Sequence, residues 1–189
     1  MSTDARESLL RAAQQLYAAN GVAATTPRQV IERSGVGHGS LYHHFPSKRD
    51  LALAAVGRSV DEALASSSDA LNAHTESRAR IAAYLERPRE ATSGCRIGRL
   101  TADPFVAADE DLSASVARYF LDLIGLVADV FEEQGLDGGV ARDRATAAVA
   151  VIQGGYVLSR ATGDEEMMRA AVRGFLGLVD APQRPEGDS

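Results

Sequence analysis

Apolar residues in this chain recur at steps of three and four, the spacing of one face of a helix, and no useful stretch alternates as a strand would. Leu9, Ala13, Leu16 and Tyr17 mark a first helix over 5–20, and Gly21 follows as its stop. Thr26-Pro27-Arg28-Gln29 opens a second. Thr26 caps, Pro27 suits the first helical position, and Gln29 stands where a capping box places Glu or Gln. That helix carries Val30 and Ile31 and ends by Gly35. After the Ser34-Gly35-Val36 turn, another short helix runs over 37–44 and breaks before Pro46. Ser47-Lys48-Arg49-Asp50 is a second capping box. It opens a long helix through Leu51, Leu53, Val56, Val60 and Leu64 that fades in the run Ser66-Ser67-Ser68.

The pattern stays helical beyond residue 75. Ile81, Tyr84 and Leu85 lie in a helix over 76–86 that meets Pro88. Residues 94–102 are expected to form one short helix, closed by Asp103-Pro104. Leu112, Val116, Phe120, Leu123, Val127 and Val130 mark a long helix ending near Gly135, and another spans 140–162. Asp164 caps a last helix carrying Met168, Ala171, Val172, Phe175 and Val179. Residues 180–189 read as a frayed tail. The expectation is an all-α chain of about nine helices without internal repeats. It divides into an N-terminal helix-turn-helix domain at 1–50, a C-terminal helical domain at 51–182, and a flexible tail at 183–189.

Composition supports this. Among 189 residues there are 33 alanines and 18 leucines, both strong helix formers. The single cysteine, Cys95, excludes an intrachain disulfide and a cysteine-rich metal site, and fits a reducing cytoplasm. The most apolar stretch, 145–158, contains Gln153, Gly154 and Gly155 and is shorter than the roughly 18–20 residues a spanning helix needs. Residues 1–11 have no apolar export core. A cytoplasmic protein without a membrane partner is expected. The net charge of −6 argues at first against nucleic acid, but it is unevenly placed: residues 1–50 sum to +2 and the remainder to −8. A mildly basic head on an acidic body can meet a polyanion through one face.

Two short helices on a tight glycine turn, with a supporting helix before them, form a helix-turn-helix pattern. Gly35 supplies the positive φ that the turn needs. Val36 and Leu41 lock the second helix onto the first. Gly37, His38, Gly39 and Ser40 stand at the N-terminus of that second helix, where such proteins meet base edges. Two glycines there weaken the helix but bare its backbone, and free N–H groups suit a phosphate. Tyr42 and His43 reach toward phosphate oxygens, and Lys48 begins the next helix.

The stretch from Thr25 to Leu51, containing Gly35-Val36-Gly37-His38-Gly39-Ser40-Leu41-Tyr42-His43-His44-Phe45 and Lys48, resembles the DNA-binding domain of TetR-family transcriptional regulators. The resemblance implies that Thr26 and Arg28 meet the DNA backbone, that Gly37, His38, Gly39 and Ser40 face bases or neighbouring phosphates, and that Tyr42, His43 and Lys48 hold phosphates. Leu41 and Phe45 would be core, and His44 either a backbone contact or a packed polar residue. Gly37 stands where Ser or Thr is commoner in the family, and His38 where Lys, Arg or Pro is commoner. The implied partner is a double-stranded DNA operator, read by a homodimer with a palindromic site.

The resemblance also implies that the C-terminal helical domain at 51–182 holds a dimer interface and an effector pocket. The candidates are Leu64, Leu85, Leu100, Phe120, Leu123, Ile124, Val127, Ile152, Gln153 and Tyr156, most of them equally at home in an ordinary core. Few polar groups suit such a pocket, with Arg96, Gln153 and Tyr156 as the exceptions, so a small, mainly hydrophobic effector is expected. Gly94-Cys95-Arg96-Ile97-Gly98 resembles a motif of the YxaF/LmrA-like branch. Gly154 and Gly155 in mid-helix suggest close backbone packing across a dimer interface or a local kink. Function then reads as a repressor released by its effector, with redox sensing through Cys95 as the alternative. An enzyme is not expected, since Cys95 has no nearby His in sequence. No cofactor or metal is expected, because His38, His43 and His44 do not share a helix face.

Overall fold

The computed structural model describes residues 2–180, and the expected tail at 183–189 lies outside the described residues. Nine α-helices run through them: α1 Ser2–Asn20, α2 Pro27–Ser34, α3 His38–His44, α4 Lys48–Leu71, α5 Ser77–Glu86, α6 Pro104–Ala107, α7 Glu110–Glu133, α8 Gly138–Thr162 and α9 Glu166–Asp180. Local chemistry explains several of the ends. Thr26 and Gln29 form the reciprocal capping box of α2, and Gly35 ends that helix at φ 69°. Ser47 accepts from the Asp50 N–H to start α4. Asp164 accepts from the Glu166 N–H at 2.8 Å at the head of α9. The Ser66-Ser67-Ser68 run does not end α4, contrary to expectation. Ser67 is buried and its hydroxyl donates to the Ala63 carbonyl at 2.8 Å, so the serine is satisfied inside the helix.

The segment between α5 and α7 departs from the single helix expected over 94–102. It holds two 3-10 turns, Ala91–Ser93 and Gly98–Ala102, separated by a turn at Gly94, whose φ is 84°. Asp103 ends the Gly98–Ala102 turn as expected, its N–H donating to the Leu100 carbonyl. It also opens α6, because its carboxylate accepts from the Phe105 and Val106 N–H groups and Pro104 fills the first position.

Helix α1 packs on α2, α3 and α4, and α4 continues into the body against α7; α7 packs on α8, and α8 on α9. One buried apolar cluster runs from Leu9, Leu41 and Phe45 through Val56 and Val60 to Leu112, Leu123, Val127, Phe131 and Ile152. The glycine pair on α8 divides. A Cβ on Gly155 would stand 2.5 Å from Met168 Sδ and 3.3 Å from Met168 Cα, so this glycine lets α9 of the same chain approach. Gly154 is exposed and faces open space.

Arg58 on α4 ties α4 to α1 through Glu7 at 2.5 Å, and to Glu62 at 2.8 Å. The Arg58 and Arg11 guanidiniums hold the Glu7 carboxyl down at about 2 against its ordinary 4.5. A depressed carboxylate pKa adds stability that is complete above about 4.5 and is lost as pH falls toward 2. Glu7→Gln is therefore expected to remove part of the acid limb of the stability profile. The check is urea midpoints measured between pH 6 and about pH 2.5; an acid limb identical to that of the unmodified chain would refute the assignment.

Candidate nucleic-acid interface

Helix α3 is held by two anchors. Leu41 and Phe45 are buried, while Gly37, His38, Gly39, Tyr42 and His43 are exposed and Ser40 is half-buried. Gly37 caps the helix with extended backbone and no side-chain hydrogen bond, so the first N–H groups carry no side-chain cap. The His38 and Tyr42 rings lie 4.9 Å apart, one turn from each other along α3. Those of His43 and His44 lie 5.1 Å apart. Space within 4 Å of a Cβ at Gly37 or Gly39 is empty, so both bare positions are open to an approaching surface.

The flanking candidates are more occupied. The Thr26 hydroxyl is engaged in the α2 cap, donating to Gln29 Oε1 at 3.0 Å. Arg28 pairs with Glu32 at 2.8 Å on the exposed face of α2, which raises its pKa. Lys48 is half-buried: its Nζ donates to the Ala23 carbonyl at 3.1 Å and lies 4.8 Å from the Phe105 ring centre. Burial lowers its pKa, opposed by the Asp103 charge. Lys48 thus spans from the head to α6 as well as standing at the start of α4.

The segment 94–111 clamps the head to the body. The buried Asp103 carboxylate accepts from the Ala23 N–H at 3.0 Å, while a Cβ on Gly21 (φ 85°) would sit 2.5 Å from Asp103 Oδ2. Arg99 donates to the carbonyls of Ala18 and Ala19, which end α1 and carry its partial negative charge. Arg49 pairs with Asp109 and with Asp111, each at 2.5 Å. None of these links was expected from sequence; a charged residue at an Asx-Pro helix start was the available signal for Asp103.

The body contains three clefts of note. A cleft of about 840 Å³ lies between α1, residues 87–99 and α8, and is lined by Arg87, Arg89, Arg96, Arg99, Tyr156 and Arg160, among others. A second, of about 340 Å³, adds Cys95, Phe120, Gln153 and Val157 to the shared Gly94, Arg99, Tyr156 and Arg160. A third, of about 470 Å³, includes Leu85, Met168 and Val172. Of the expected pocket residues, Phe120, Gln153 and Tyr156 thus meet at the second cleft and Leu85 lines the third. Leu100, Leu123, Val127 and Ile152 are buried core, Leu64 and Ile124 pack against that core, and these six line none of the three clefts. Desolvation raises the phenol pKa of Tyr84, Tyr119 and Tyr156. Cys95 is half-buried, and its Sγ accepts from the Gly98 N–H at 3.1 Å. That bond fixes a turn, and the chain has no second cysteine to pair with it.

An exposed two-anchor helix on a glycine turn, set on a helical body with its own clefts, defines a helix-turn-helix DNA-binding regulator. Comparison with known proteins agrees. Residues 9–55 match the family "Bacterial regulatory proteins, tetR family", and residues 68–173 match "Transcriptional regulator LmrA/YxaF-like, C-terminal domain". The HTH-type transcriptional regulator LmrA of Bacillus subtilis is 29% identical over 163 residues, covering 82% of this chain and 86% of that protein. YxaF of the same organism, an uncharacterized HTH-type transcriptional regulator, is 29% identical over 172 residues, covering 86% and 88%. A TetR transcriptional regulator from Legionella pneumophila superimposes with a TM-score of 0.81 at 23% identity, covering 92% of this chain and 95% of that one. The chain belongs to the TetR family of bacterial transcriptional regulators, in its LmrA/YxaF-like branch. It is a DNA-binding regulator and not an enzyme. Among the described residues, no helix is long and apolar enough to cross a membrane.

Proposed function

We propose that the protein is a cytoplasmic repressor that binds a palindromic operator as a homodimer and is released by a small, mainly apolar effector. The observation that carries this reading is the open N-terminal end of α3, where Gly37, His38 and Gly39 stand exposed above the buried anchors Leu41 and Phe45. Residues 1–50 read DNA, and residues 51–182 hold the effector and the dimer contact. Exposed Val157, Leu158 and Leu178, with the bare Gly154, give α8 and α9 an apolar outer face suited to pairing with the same helices of a second copy. In the dimer the two α3 helices meet successive major-groove turns about 34 Å apart. An effector that prefers another arrangement of the 94–111 clamp shifts α1, and with it that spacing, by its differential affinity for the two states.

Selection of bound sites from a random DNA pool with the purified chain tests the reading. Two inverted half-sites about one helical turn apart are expected; no enriched sequence overturns it. Substitutions separate the roles. Lys48→Ala and Tyr42→Phe are expected to weaken binding about equally on all sequences, with Lys48→Ala lowering the salt slope by about one. His38→Ala and Ser40→Ala are expected to change which bases are preferred, by about 1–3 kcal/mol at one position. Titrations of operator and scrambled DNA at several salt concentrations check this; equal loss on both for His38→Ala refutes its base-reading role.

A further inference from the structure

The 840 Å³ cleft is lined by five guanidiniums, those of Arg87, Arg89, Arg96, Arg99 and Arg160, against one carboxylate, the exposed Glu90. Among the described residues none of the five has a carboxylate partner, whereas Arg49, Arg58, Arg80 and Arg118 elsewhere each do. Arg87 donates to the hydroxyls of Ser66 and Ser67 and lies 5.2 Å from the Tyr84 ring centre. Arg99 rests on backbone carbonyls of α1. Arg89 donates its Nη groups to the carbonyls of Tyr84, Leu85 and Arg87, which leaves its buried Nε without a partner. Arg96 and Arg160 make no hydrogen bond among the described residues, and Arg160 Nη1 stands 3.8 Å from where a Cβ on Gly94 would be.

Guanidiniums do not shed their protons in proteins, so the mutual repulsion of such a set persists until an anion enters. Burial and the neighbouring Arg87 charge both weigh against the charged form of Arg89, in the direction an anion would relieve. The arginine cleft shares Gly94, Arg99, Tyr156 and Arg160 with the smaller cleft that carries Phe120 and Val157. One end of a ligand would meet charge and the other an aromatic, apolar wall.

We propose that the cleft binds an amphipathic organic anion, a carboxylate on an aromatic or aliphatic body, with its charged end among Arg96, Arg99 and Arg160 and its apolar end toward Phe120 and Tyr156. This rests on the effector-controlled reading above and gives the effector its chemical class. A carboxylate is matched to guanidinium by paired N–H donors, and a volume of about 840 Å³ lies in the range of small-molecule sites. Arg99 also gives the anion a route to the head, because a carboxylate competes with the Ala18 and Ala19 carbonyls for the same N–H groups.

The test is thermal unfolding of the full chain with 2-naphthoate, benzoate and decanoate, each against its neutral primary amide at equal concentration and ionic strength. The carboxylates are expected to raise the midpoint by on the order of 3 °C at tenfold excess over Kd, and the amides to raise it far less. In the double variant Arg96→Gln/Arg160→Gln the carboxylate advantage is expected to vanish. Because Arg96 and Arg160 are exposed and unpaired, the variant is expected to keep its ligand-free midpoint and its operator affinity. The proposal is overturned if no carboxylate stabilises more than its amide, or if the advantage survives the double substitution. Operator release is measured separately: a carboxylate that binds through the arginines yet leaves the operator bound upholds the site and refutes the release mechanism.

Discussion

Asp103→Ala is expected to destabilise the folded chain by roughly 2–4 kcal/mol, lowering the thermal midpoint by roughly 5–15 °C. The Asp103 carboxylate does two jobs with two oxygens. It caps α6 through the Phe105 and Val106 N–H groups, and it accepts the Ala23 N–H from the loop between α1 and α2. The cap alone is worth about 1 kcal/mol, and the buried bond across the head–body junction adds the rest. Gly21→Ala strikes the same contact from the other side. Its φ of 85° disfavours any side chain, and the new Cβ would press on Oδ2 at 2.5 Å. With Asp103 already alanine, Gly21→Ala is expected to cost distinctly less than it does alone, because only the backbone strain remains. Urea or thermal unfolding of the two single variants and the double variant measures this. Additive losses would show that the two residues do not meet, and an unchanged midpoint for Asp103→Ala would remove the clamp from the account.

Gly39→Glu is expected to abolish operator binding, by roughly 1,000-fold or more, without loosening the fold. The position is exposed, nothing stands within 4 Å of its Cβ, and it lies in the first turn of α3. Glutamate is a better helix former than glycine, so stability is expected to hold or rise. A carboxylate pressed against phosphate oxygens costs several kcal/mol, and every 1.4 kcal/mol is tenfold in affinity. Gly39→Gln separates bulk from charge: it is expected to lose part of the affinity but to keep the dependence on salt. Fluorescence anisotropy with the selected operator reads both variants. Wild-type affinity for Gly39→Glu would mean that α3 does not enter the groove.

The head was legible because its signals are local. Thr26, Pro27 and Gln29 announce α2, Gly35 its left-handed end, and Ser47 with Asp50 the start of α4, each acting within a turn of its own position. The segment 94–109 was not, because its conformation answers to distant partners. Asp103 faces Ala23, and Arg99 faces Ala18 and Ala19, some eighty residues away in sequence. The Asp103-Pro104 pair is both the stop that was read and, like Thr26-Pro27, a start, and its start signal was passed over. The glycine pair on α8 signalled close backbone packing, but the contact it serves is within the chain: Gly155 admits Met168, while Gly154 stays bare. Among the expected pocket residues, apolar spacing found Phe120 and Tyr156, and Arg96 stood out as a polar exception, but Arg87, Arg89, Arg99 and Arg160 were overlooked. Four of these five arginines, at 87, 89, 96 and 99, crowd thirteen positions whose only acid is Glu90, an imbalance already visible in the chain.

The Asp103 carboxylate under the α1–α2 loop also bears on engineering. A chimaera that transplants the first fifty residues onto a foreign body would leave the Ala23 N–H without its acceptor and the end of α1 without Arg99. A workable graft carries the strap from Gly98 to Asp111 along with the reading head, so that the donor's own latch travels with it.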